Sequence, residues 1–377
     1  MIQEFNTGKA GPKTHVLLIG VGGYPFLKGG VTPVPQVAEA ANLLGQLTSP
    51  VVSIETLYRK ILEYDNNNEW TKPLGSVDIL LTPSPGSPPI NIAAGIENAS
   101  LDHIKDAYDS WKARCDTHID NVALFYYCGH GAEKDNQFLL ADDFGKRPQN
   151  PWAGAFNFDL TRAAFKSCKA QTQLFFVDAC RQITSDMLEE NLQVRPLENP
   201  SYLKSDSFYN MTLKAAASGE SAYGRKNEPT YFTQAVISGL DGLVARKENN
   251  QWLIETGSLC WNIYNLLELI NPSQSFKQRC QAIGGGPIDI IRRNNAPNAW
   301  LEISCNPDNA LPAAELACLD RNLSVKEQRQ PKPELWKINL KAGFYILRAT
   351  FQGGNFKNGE VEATALPPVT REQIICQ

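Results

Sequence analysis

Continuous apolar runs alternate with amphipathic segments over residues 13–290, and this alternation is the sequence feature that most constrains the fold. An apolar run without polar alternation is typical of a strand that is buried on both faces, as in parallel sheets covered by helices. The sequence therefore predicts an α/β fold with a mostly parallel central sheet. The predicted strands are 15–21, 77–81, 121–128, 173–177 and 212–217, and the predicted helices are 34–47, 96–114, 160–168 and 232–243.

The pattern changes near residues 294–298, where Ala296 and Pro297 predict a linker. Beyond it, short alternating segments separated by turn residues are typical of a small β-sandwich. We therefore expect two domains, which comprise residues 1–294 and 295–377. The predicted strands of the second domain are 300–304, 335–340, 345–351 and 359–365.

Charge and hydrophobicity exclude two classes of partner. The 377 residues carry 36 Lys and Arg against 40 Asp and Glu, a formal net charge of −4, so no basic field is available for nucleic acid. The longest purely apolar run, Val122–Cys128, has seven residues. Crossing a bilayer as a helix takes about twenty, so we expect a soluble protein without a membrane partner.

Nine cysteines form no C-x-x-C pair, and their number is odd. This usage favours a reducing cytoplasm in which the thiols are free. With only four histidines, and none at ligand spacing from a cysteine pair, zinc is disfavoured. Gly20 and Gly22 lack the third glycine of a dinucleotide fingerprint, and no P-loop occurs. We expect no cofactor and no metal.

Two of the predicted strands end in reactive residues. The run Val122–Cys128 ends at a Gly-His-Gly triplet centred on His130, and the run 174–177 is followed by Asp-Ala-Cys, which ends at Cys180. The carboxyl ends of parallel strands meet at one edge of a sheet, so both side chains are expected in one crevice. A thiol beside an imidazole suits nucleophilic catalysis of acyl transfer, in which backbone amides stabilise the oxyanion.

With Cys180 50 residues after His130, the chain resembles the caspase and metacaspase clan of cysteine peptidases, especially its bacterial caspase-like members. The match spans roughly residues 13–290 in the same order as in the clan. Two motifs carry the resemblance, Phe125-Tyr-Tyr-Cys-Gly-His-Gly131 and Phe175-Phe-Val-Asp-Ala-Cys-Arg181. Supporting matches are Val16-Leu-Leu-Ile-Gly20, Phe138-Leu-Leu-Ala-Asp-Asp143, Ala217-Ser-Gly-Glu-Ser-Ala222 and Phe232-Thr-Gln-Ala235.

The resemblance implies a caspase-like three-layer α/β sandwich and assigns roles to individual residues. Cys180 would be the nucleophile and His130 its partner, and the amides of Gly131 and Cys180 would form the oxyanion hole. Where caspases that cut after aspartate have Gln, this chain has Asp178, which resembles the acidic residue that metacaspases place beneath the P1 side chain. A carboxylate there pairs with a cation and repels Asp, so we expect cleavage after Arg or Lys.

Several of these assignments have ordinary alternatives. Glu220 and Ser218 would line the same P1 pocket, but Glu220 fits an ordinary loop acid equally well, and Asp178 could instead cap the turn after its strand. Asp142 and Asp143 suit either a solvated loop or a calcium site. For the whole chain, the alternative to a peptidase is a catalytically silent caspase-like fold used as an interaction module.

The resemblance also suggests processing and a biological setting. The polar segment 182–210 corresponds to the linker that caspases cut, and its Arg195 and Lys204 would suit self-cleavage after a basic residue. We expect a cytoplasmic bacterial peptidase with a protein or peptide substrate, acting in a regulated stress, cell-death or antiphage pathway. The C-terminal domain would bind an effector protein or a regulator.

Overall fold

The computed structural model describes residues 2–41, 44–92, 95–181, 193–200, 209–271 and 278–377. The described chain forms two compact units, Met1–Ile237 with Glu255–Ile291 and Ser238–Ile254 with Arg292–Gln377. The second unit thus takes in Ser238–Ile254 as well as the C-terminal residues. The division into domains at residue 294 stays a prediction.

Strands and helices alternate along the first unit. The helices are α1 Pro35–Ala40, α2 Ser49–Asn66, α3 Leu101–Cys115, α4 Phe158–Phe165, α5 Tyr231–Ser238 and α6 Thr256–Ile270. The strands, of which β10 and β11 lie in the second unit, are β1 Ile2–Glu4, β2 Thr14–Val21, β3 Leu74–Thr82, β4 Val122–Cys128, β5 Gly131–Glu133, β6 Gln137–Leu140, β7 Ala155–Asn157, β8 Thr172–Asp178, β9 Tyr209–Lys214, β10 Arg246–Glu248, β11 Gln251–Glu255, β12 Gln281–Gly284 and β13 Asp289–Arg293.

Within the described ranges, the central sheet has seven strands in the order β1-β3-β2-β4-β8-β9-β12. The five inner strands are parallel, whereas β1 and β12 pair antiparallel at the two edges. Every residue of β2, β4 and β8 is buried, because helices cover both faces of the sheet. The α/β class and the mostly parallel sheet are therefore confirmed.

Aromatic side chains fill one face of the sheet beneath the two strands that carry the motifs. Trp111 of α3 stacks on Phe165 of α4 with ring centroids 4.6 Å apart. Phe165 in turn meets Phe175 of β8 edge to face at 5.5 Å, and Phe125 of β4 lies 5.9 Å from Phe175. These packed rings fix α3 and α4 against the paired strands β4 and β8, so the loops that follow the two strands begin from a rigid support.

One predicted helix, 34–47, is wrong in extent. Helix α1 ends at Ala40, and the Leu47 N–H donates to the Gly22 carbonyl, 2.8 Å away, instead of continuing a helix. A second helix, α2, then begins at Ser49 with Pro50 in its first turn, where a missing N–H costs nothing. The chain around Gly45 is therefore a connection between helices. Helices α2 and α6 were not predicted from the amino-acid sequence.

The second unit consists mainly of strands whose residues alternate between buried and less buried positions. The strands are β14 Asn298–Asn306, β15 Glu315–Leu319, β16 Val325–Arg329, β17 Trp336–Lys341, β18 Gly343–Thr350, β19 Gly359–Ala365 and β20 Val369–Ile375. Among the described residues, three of them form one sheet in the order β17-β14-β20, and four form another in the order β16-β15-β18-β19. The predicted strands of this region are confirmed with slightly different ends. In the part of the chain that the structure describes, no helix is long and apolar enough to cross a membrane.

Candidate active site

Strands β4 and β8 bring the two sequence motifs to the same edge of the sheet. Cys128 pairs with Asp178 in register, and the Gly129 N–H donates to the Asp178 carbonyl at 3.2 Å. His130 and Cys180 each follow their paired strand residue by two positions. The structure thus places both predicted residues on adjacent loops.

The two loops touch at Gly131. A methyl group placed on Gly131 would lie 2.8 Å from the Cys180 carbonyl oxygen and 2.9 Å from the Ala179 Cβ atom. Neither distance is tolerable, so the approach requires a residue without a side chain. The amides of Gly131 and Cys180 therefore belong to backbones in contact. Their role as an oxyanion hole stays a prediction.

The His130 ring is buried and oriented by two segments from elsewhere in the chain. Its Nε2 lies 2.7 Å from the Gly45 carbonyl oxygen, and its backbone N–H donates to the Tyr24 hydroxyl at 2.7 Å. The Tyr24 ring packs on the imidazole with centroids 4.7 Å apart. Since a carbonyl only accepts, Nε2 carries the hydrogen and leaves Nδ1 as an acceptor. Burial lowers the pKa of His130 to about 4, so the ring is neutral at pH 7.

The Cys180 thiol faces the segment after β9. The Ala222 N–H donates to Sγ at 3.3 Å, and the thiol lies 3.7 Å from the Ala222 carbonyl oxygen. Burial raises the pKa of Cys180, and the contact with Ala222 opposes part of that rise. With their pKa values displaced in these directions, the Cys180 thiol and the His130 imidazole are both neutral at pH 7.

Asp178, two residues before Cys180, lies in an enclosed, hydroxyl-rich environment. Its side chain is buried, and its Oδ2 accepts from Thr233 at 2.8 Å, from Tyr126 at 3.1 Å and from Thr230. Burial raises the pKa of Asp178, whereas these hydroxyl donors lower it. The hydroxyls orient the carboxylate and partly compensate its desolvation.

The other two predicted pocket residues are more accessible than Asp178. The Glu220 carboxylate lies 3.6 Å from the Arg279 guanidinium, and its backbone carbonyl accepts the Arg181 N–H at 2.9 Å. Ser218 is exposed and donates to Glu133 at 2.7 Å. Both lie on the segment that contacts Cys180, but in surroundings different from those of Asp178. The assignment of the three residues to a P1 pocket stays a prediction.

Sequence reasoning gave no role to Arg181, which ties the loops of this site together. Its buried guanidinium pairs with Glu133 of β5, and it donates to the Gln281 side chain at 2.6 Å and to the Ala216 carbonyl at 3.4 Å. Because Arg181 directly follows Cys180, its position in the sequence could have indicated that it belongs to the site. Tyr24 and Gly45 gave no such signal, since they lie 106 and 85 residues before His130.

The paired acids Asp142 and Asp143 hold a loop to neighbouring segments. Oδ2 of Asp142 accepts from Thr82 and Asn98, each at 2.7 Å, and Oδ1 of Asp143 accepts the Leu101 N–H at 3.0 Å. No group of three or more His, Cys, Asp and Glu side chains that could hold a metal occurs among the described residues. The Asp142 carboxylate therefore anchors its loop to neighbouring segments, and the Asp143 carboxylate binds the first residue of α3.

Residues 38–258 match the family model of the caspase domain, which covers more than half of the 377 residues. The chain therefore belongs to the caspase domain family. This membership points to cysteine peptidase activity on protein substrates.

Individual relatives are distant. An uncharacterized protein of Sinorhizobium fredii, y4kE, is 26% identical over 260 residues, which are 64% of this chain and 73% of the relative. The crystal structure of caspase-1 from Spodoptera frugiperda matches with a TM-score of 0.43 and 11% identity, over 72% of this chain and 88% of that chain. The structure of pro-sf-caspase-1 matches with a TM-score of 0.41 and 12% identity, over 74% and 93%.

Proposed function

We propose that this chain is a cysteine endopeptidase that cleaves protein substrates after Arg or Lys. The observation that carries the proposal is the backbone contact between Gly131 and Cys180, because it joins the histidine loop to the cysteine loop. Family membership supports the same class of reaction. Acyl transfer by a thiol needs this combination of a nucleophile, a base and neighbouring amides.

The proposed reaction starts from two neutral side chains. Nδ1 of His130 takes the thiol proton as the Cys180 sulfur attacks the scissile carbonyl carbon. The amides of Gly131 and Cys180 donate to the oxyanion, and the imidazolium then protonates the leaving amine. Water, deprotonated by the same imidazole, hydrolyses the thioester and restores the free thiol. The Gly45 carbonyl would hold the opposite edge of the ring throughout.

The preference for a basic P1 residue rests on Asp178. The three hydroxyls that donate to Asp178 stabilise its charged form against the effect of burial. In that form the carboxylate would favour a guanidinium or ammonium group over a carboxylate at P1. The same charge rejects substrates with Asp at P1 through like-charge repulsion. Glu220 would add negative charge nearer to the surface.

The experiment compares purified wild type with Cys180→Ala on a proteome digest and on matched peptides with Arg, Lys, Gln or Asp at P1. Cuts that depend on Cys180 should cluster after Arg and Lys. Asp178→Asn should reduce the preference for Arg over Gln by more than about tenfold, since the charge is lost but the shape is kept. Asp142→Asn removes an equally enclosed carboxylate elsewhere and should leave the preference intact. Cuts after Asp would overturn the pocket assignment.

One observation favours the second candidate, a silent interaction module. Burial disfavours both the thiolate of Cys180 and the imidazolium of His130, so neither group is pre-activated in this conformation. A covalent thiol inhibitor directed by an Arg side chain separates the two candidates. A peptidase reacts with it in a manner that depends on both Cys180 and His130, whereas a scaffold does not react.

Self-cleavage within residues 182–210 remains part of the proposal, although Lys204 lies outside the described residues. Arg195 is described, and its carbonyl accepts the Asn157 N–H at 2.9 Å. The Leu197 N–H donates to Thr161 at 3.0 Å, so the chain is held on both sides of the bond after Arg195. Cleavage there would require this segment to detach. Fragments that persist in Arg195→Gln and vanish in Cys180→Ala would indicate cleavage elsewhere.

The biological setting is proposed on the resemblance alone. A bacterial cytoplasmic peptidase of a stress, cell-death or antiphage pathway would cut one effector protein when triggered. The second unit would bind that effector or a regulator. Pull-down with Cys180→Ala, which should retain bound substrate, tests the proposed partner.

A further inference from the structure

The side chain of Gln46 clamps the connection between α1 and α2 to the loop after β2. Its Oε1 accepts the Tyr24 N–H at 2.9 Å, and its Nε2 donates to the Tyr24 carbonyl at 2.9 Å and to the Lys28 carbonyl at 3.2 Å. One primary amide thus pairs with both backbone groups of one residue, as a neighbouring strand would. This pairing fixes residues 45–47 against the loop that carries Tyr24.

Both ends of this clamp reach His130. The Gly45 carbonyl, next to the clamped residue, accepts the imidazole Nε2 hydrogen at 2.7 Å. The Tyr24 hydroxyl accepts the His130 backbone N–H at 2.7 Å, while the Tyr24 ring packs against the imidazole at 4.7 Å. The backbone, one face and one edge of the histidine are therefore held by residues that Gln46 holds together.

We infer that Gln46 is a positioning residue that fixes the orientation and tautomer of His130 through Gly45 and Tyr24. The inference rests on the proposed function, in which Nδ1 of His130 takes the proton of Cys180. A hydrogen on Nε2 is required for that role, because only then does Nδ1 hold a free lone pair. Without the clamp, the Leu47 N–H bond to Gly22 still ties this connection to the loop after β2, but the Gly45 carbonyl is held less firmly and the ring can adopt the opposite tautomer.

The side chain of Gln46 acts at a distance from the reaction. Its described hydrogen bonds go to the Tyr24 and Lys28 backbone, so its effect on His130 is indirect and should fall on the rate of chemistry rather than on substrate binding. Misplacement of a catalytic base by about 1 Å costs on the order of 100-fold in rate. We expect a loss of about 10- to 100-fold in kcat with KM changed less than twofold.

Two variants test this expectation. Gln46→Met keeps the length of the side chain but removes both polar atoms. Gln46→Glu keeps the acceptor for the Tyr24 N–H but places an oxygen against two carbonyls, and it serves if the first variant folds poorly. Gln173→Leu is the matched control, because Gln173 clamps the Ala170 carbonyl at 2.9 Å near the opposite end of the sheet. The control should leave kcat per folded molecule within twofold of wild type.

A second readout does not depend on turnover. Imidazole ¹⁵N NMR, with His130 assigned through His130→Gln, should show the Nε2–H tautomer in wild type and a mixture in the Gln46 variants. Alkylation of Cys180 by iodoacetamide should slow in parallel. If both variants keep the Nε2–H signal and the wild-type kcat, the inference is overturned. If wild type cleaves no peptide while the tautomer shifts as expected, the inference stands and the peptidase proposal fails.

Discussion

Two buried histidines of the first unit lie at opposite ends of neighbouring parallel strands. His15 lies near the start of β2, where its Nδ1 is 3.0 Å from the Ser76 hydroxyl and its carbonyl accepts the Trp111 indole N–H. His130 lies beyond the end of β4. Burial is the main cause that lowers the pKa of each to about 4.

Burial and a lowered pKa therefore do not distinguish a candidate catalytic histidine from a structural one. The difference lies in what each ring meets. His15 lies within a strand, its ring hydrogen-bonded to Ser76. His130 follows its strand on a glycine turn that contacts the loop of Cys180. What distinguishes His130 from His15 is therefore the reactive cysteine on the neighbouring loop, and not an unusual pKa.

The largest expected difference concerns the rings themselves. His130→Gln should lower kcat/KM by at least about 10³-fold, because no other described contact supplies a base at this position. His15→Gln should leave kcat/KM within about twofold per folded molecule. Peptide cleavage assays corrected for the folded fraction check both values. Equal losses would remove the distinction between the two ends.

Each of the two histidines has a closely packed glycine beside it, Gly131 next to His130 and Gly75 against His15. An added methyl group on Gly131 would meet the Cys180 backbone at 2.8 Å, whereas one on Gly75 would meet the His15 ring at 2.6 Å. Gly131→Ala should lower kcat by about 100-fold as the two loops separate. Gly75→Ala should cost about 1–3 kcal/mol of unfolding free energy and little activity. Urea unfolding and kinetics on both variants would contradict this if Gly75→Ala were the less active.

Each end of the sheet also has a largely buried ion pair, Arg181 with Glu133 and Arg114 with Asp78. Removing either arginine leaves a carboxylate uncompensated, so Arg181→Met and Arg114→Met should each cost about 3–5 kcal/mol of stability. Only Arg181→Met should also lower kcat, by about tenfold, because the ion pair of Arg181 with Glu133 joins the loop of Cys180 to β5, the strand that follows His130.

A double-mutant cycle checks the assignment of that pair. Glu133→Gln should have little further effect on kcat when Arg181 is already Met. Additive losses in the cycle would instead show that the two side chains act independently.

The smallest difference is expected in acid stability. Each histidine has a folded pKa near 4 against 6.5 in the unfolded chain, so the unfolded state binds more protons between those pH values. Stability is therefore lost as pH falls from 6.5 to 4, by up to roughly 3 kcal/mol per histidine. His15→Gln and His130→Gln should both reduce that loss. Unfolding curves at pH 7 and pH 5 measure it, and a loss unchanged by either variant would contradict the burial argument.

The local sequence pattern predicted β4 and β8, which precede His130 and Cys180, more accurately than the segment around Gly45, which contacts His130 from elsewhere in the chain. Strand β4 is apolar throughout and strand β8 contains the apolar run 174–177, and each strand is found within one residue of its predicted ends. The segment around Gly45 was predicted as helix from its apolar spacing. Its true conformation depends on Gln46 and Leu47 bonding to the loop after β2, a tertiary contact that outweighs local propensity.

The mostly parallel sheet, the edge at which His130 and Cys180 lie and the family resemblance could all be predicted from the amino-acid sequence, because periodicity and motif order are properties of neighbouring residues. The surroundings of those two side chains depend instead on the folded chain. The Gly45 carbonyl, the Tyr24 hydroxyl, the Arg181 bridge and the enclosure of Asp178 each join residues far apart in the chain. Hydrogen bonds of that kind form only when packing has brought their partners together, so no local pattern encodes them.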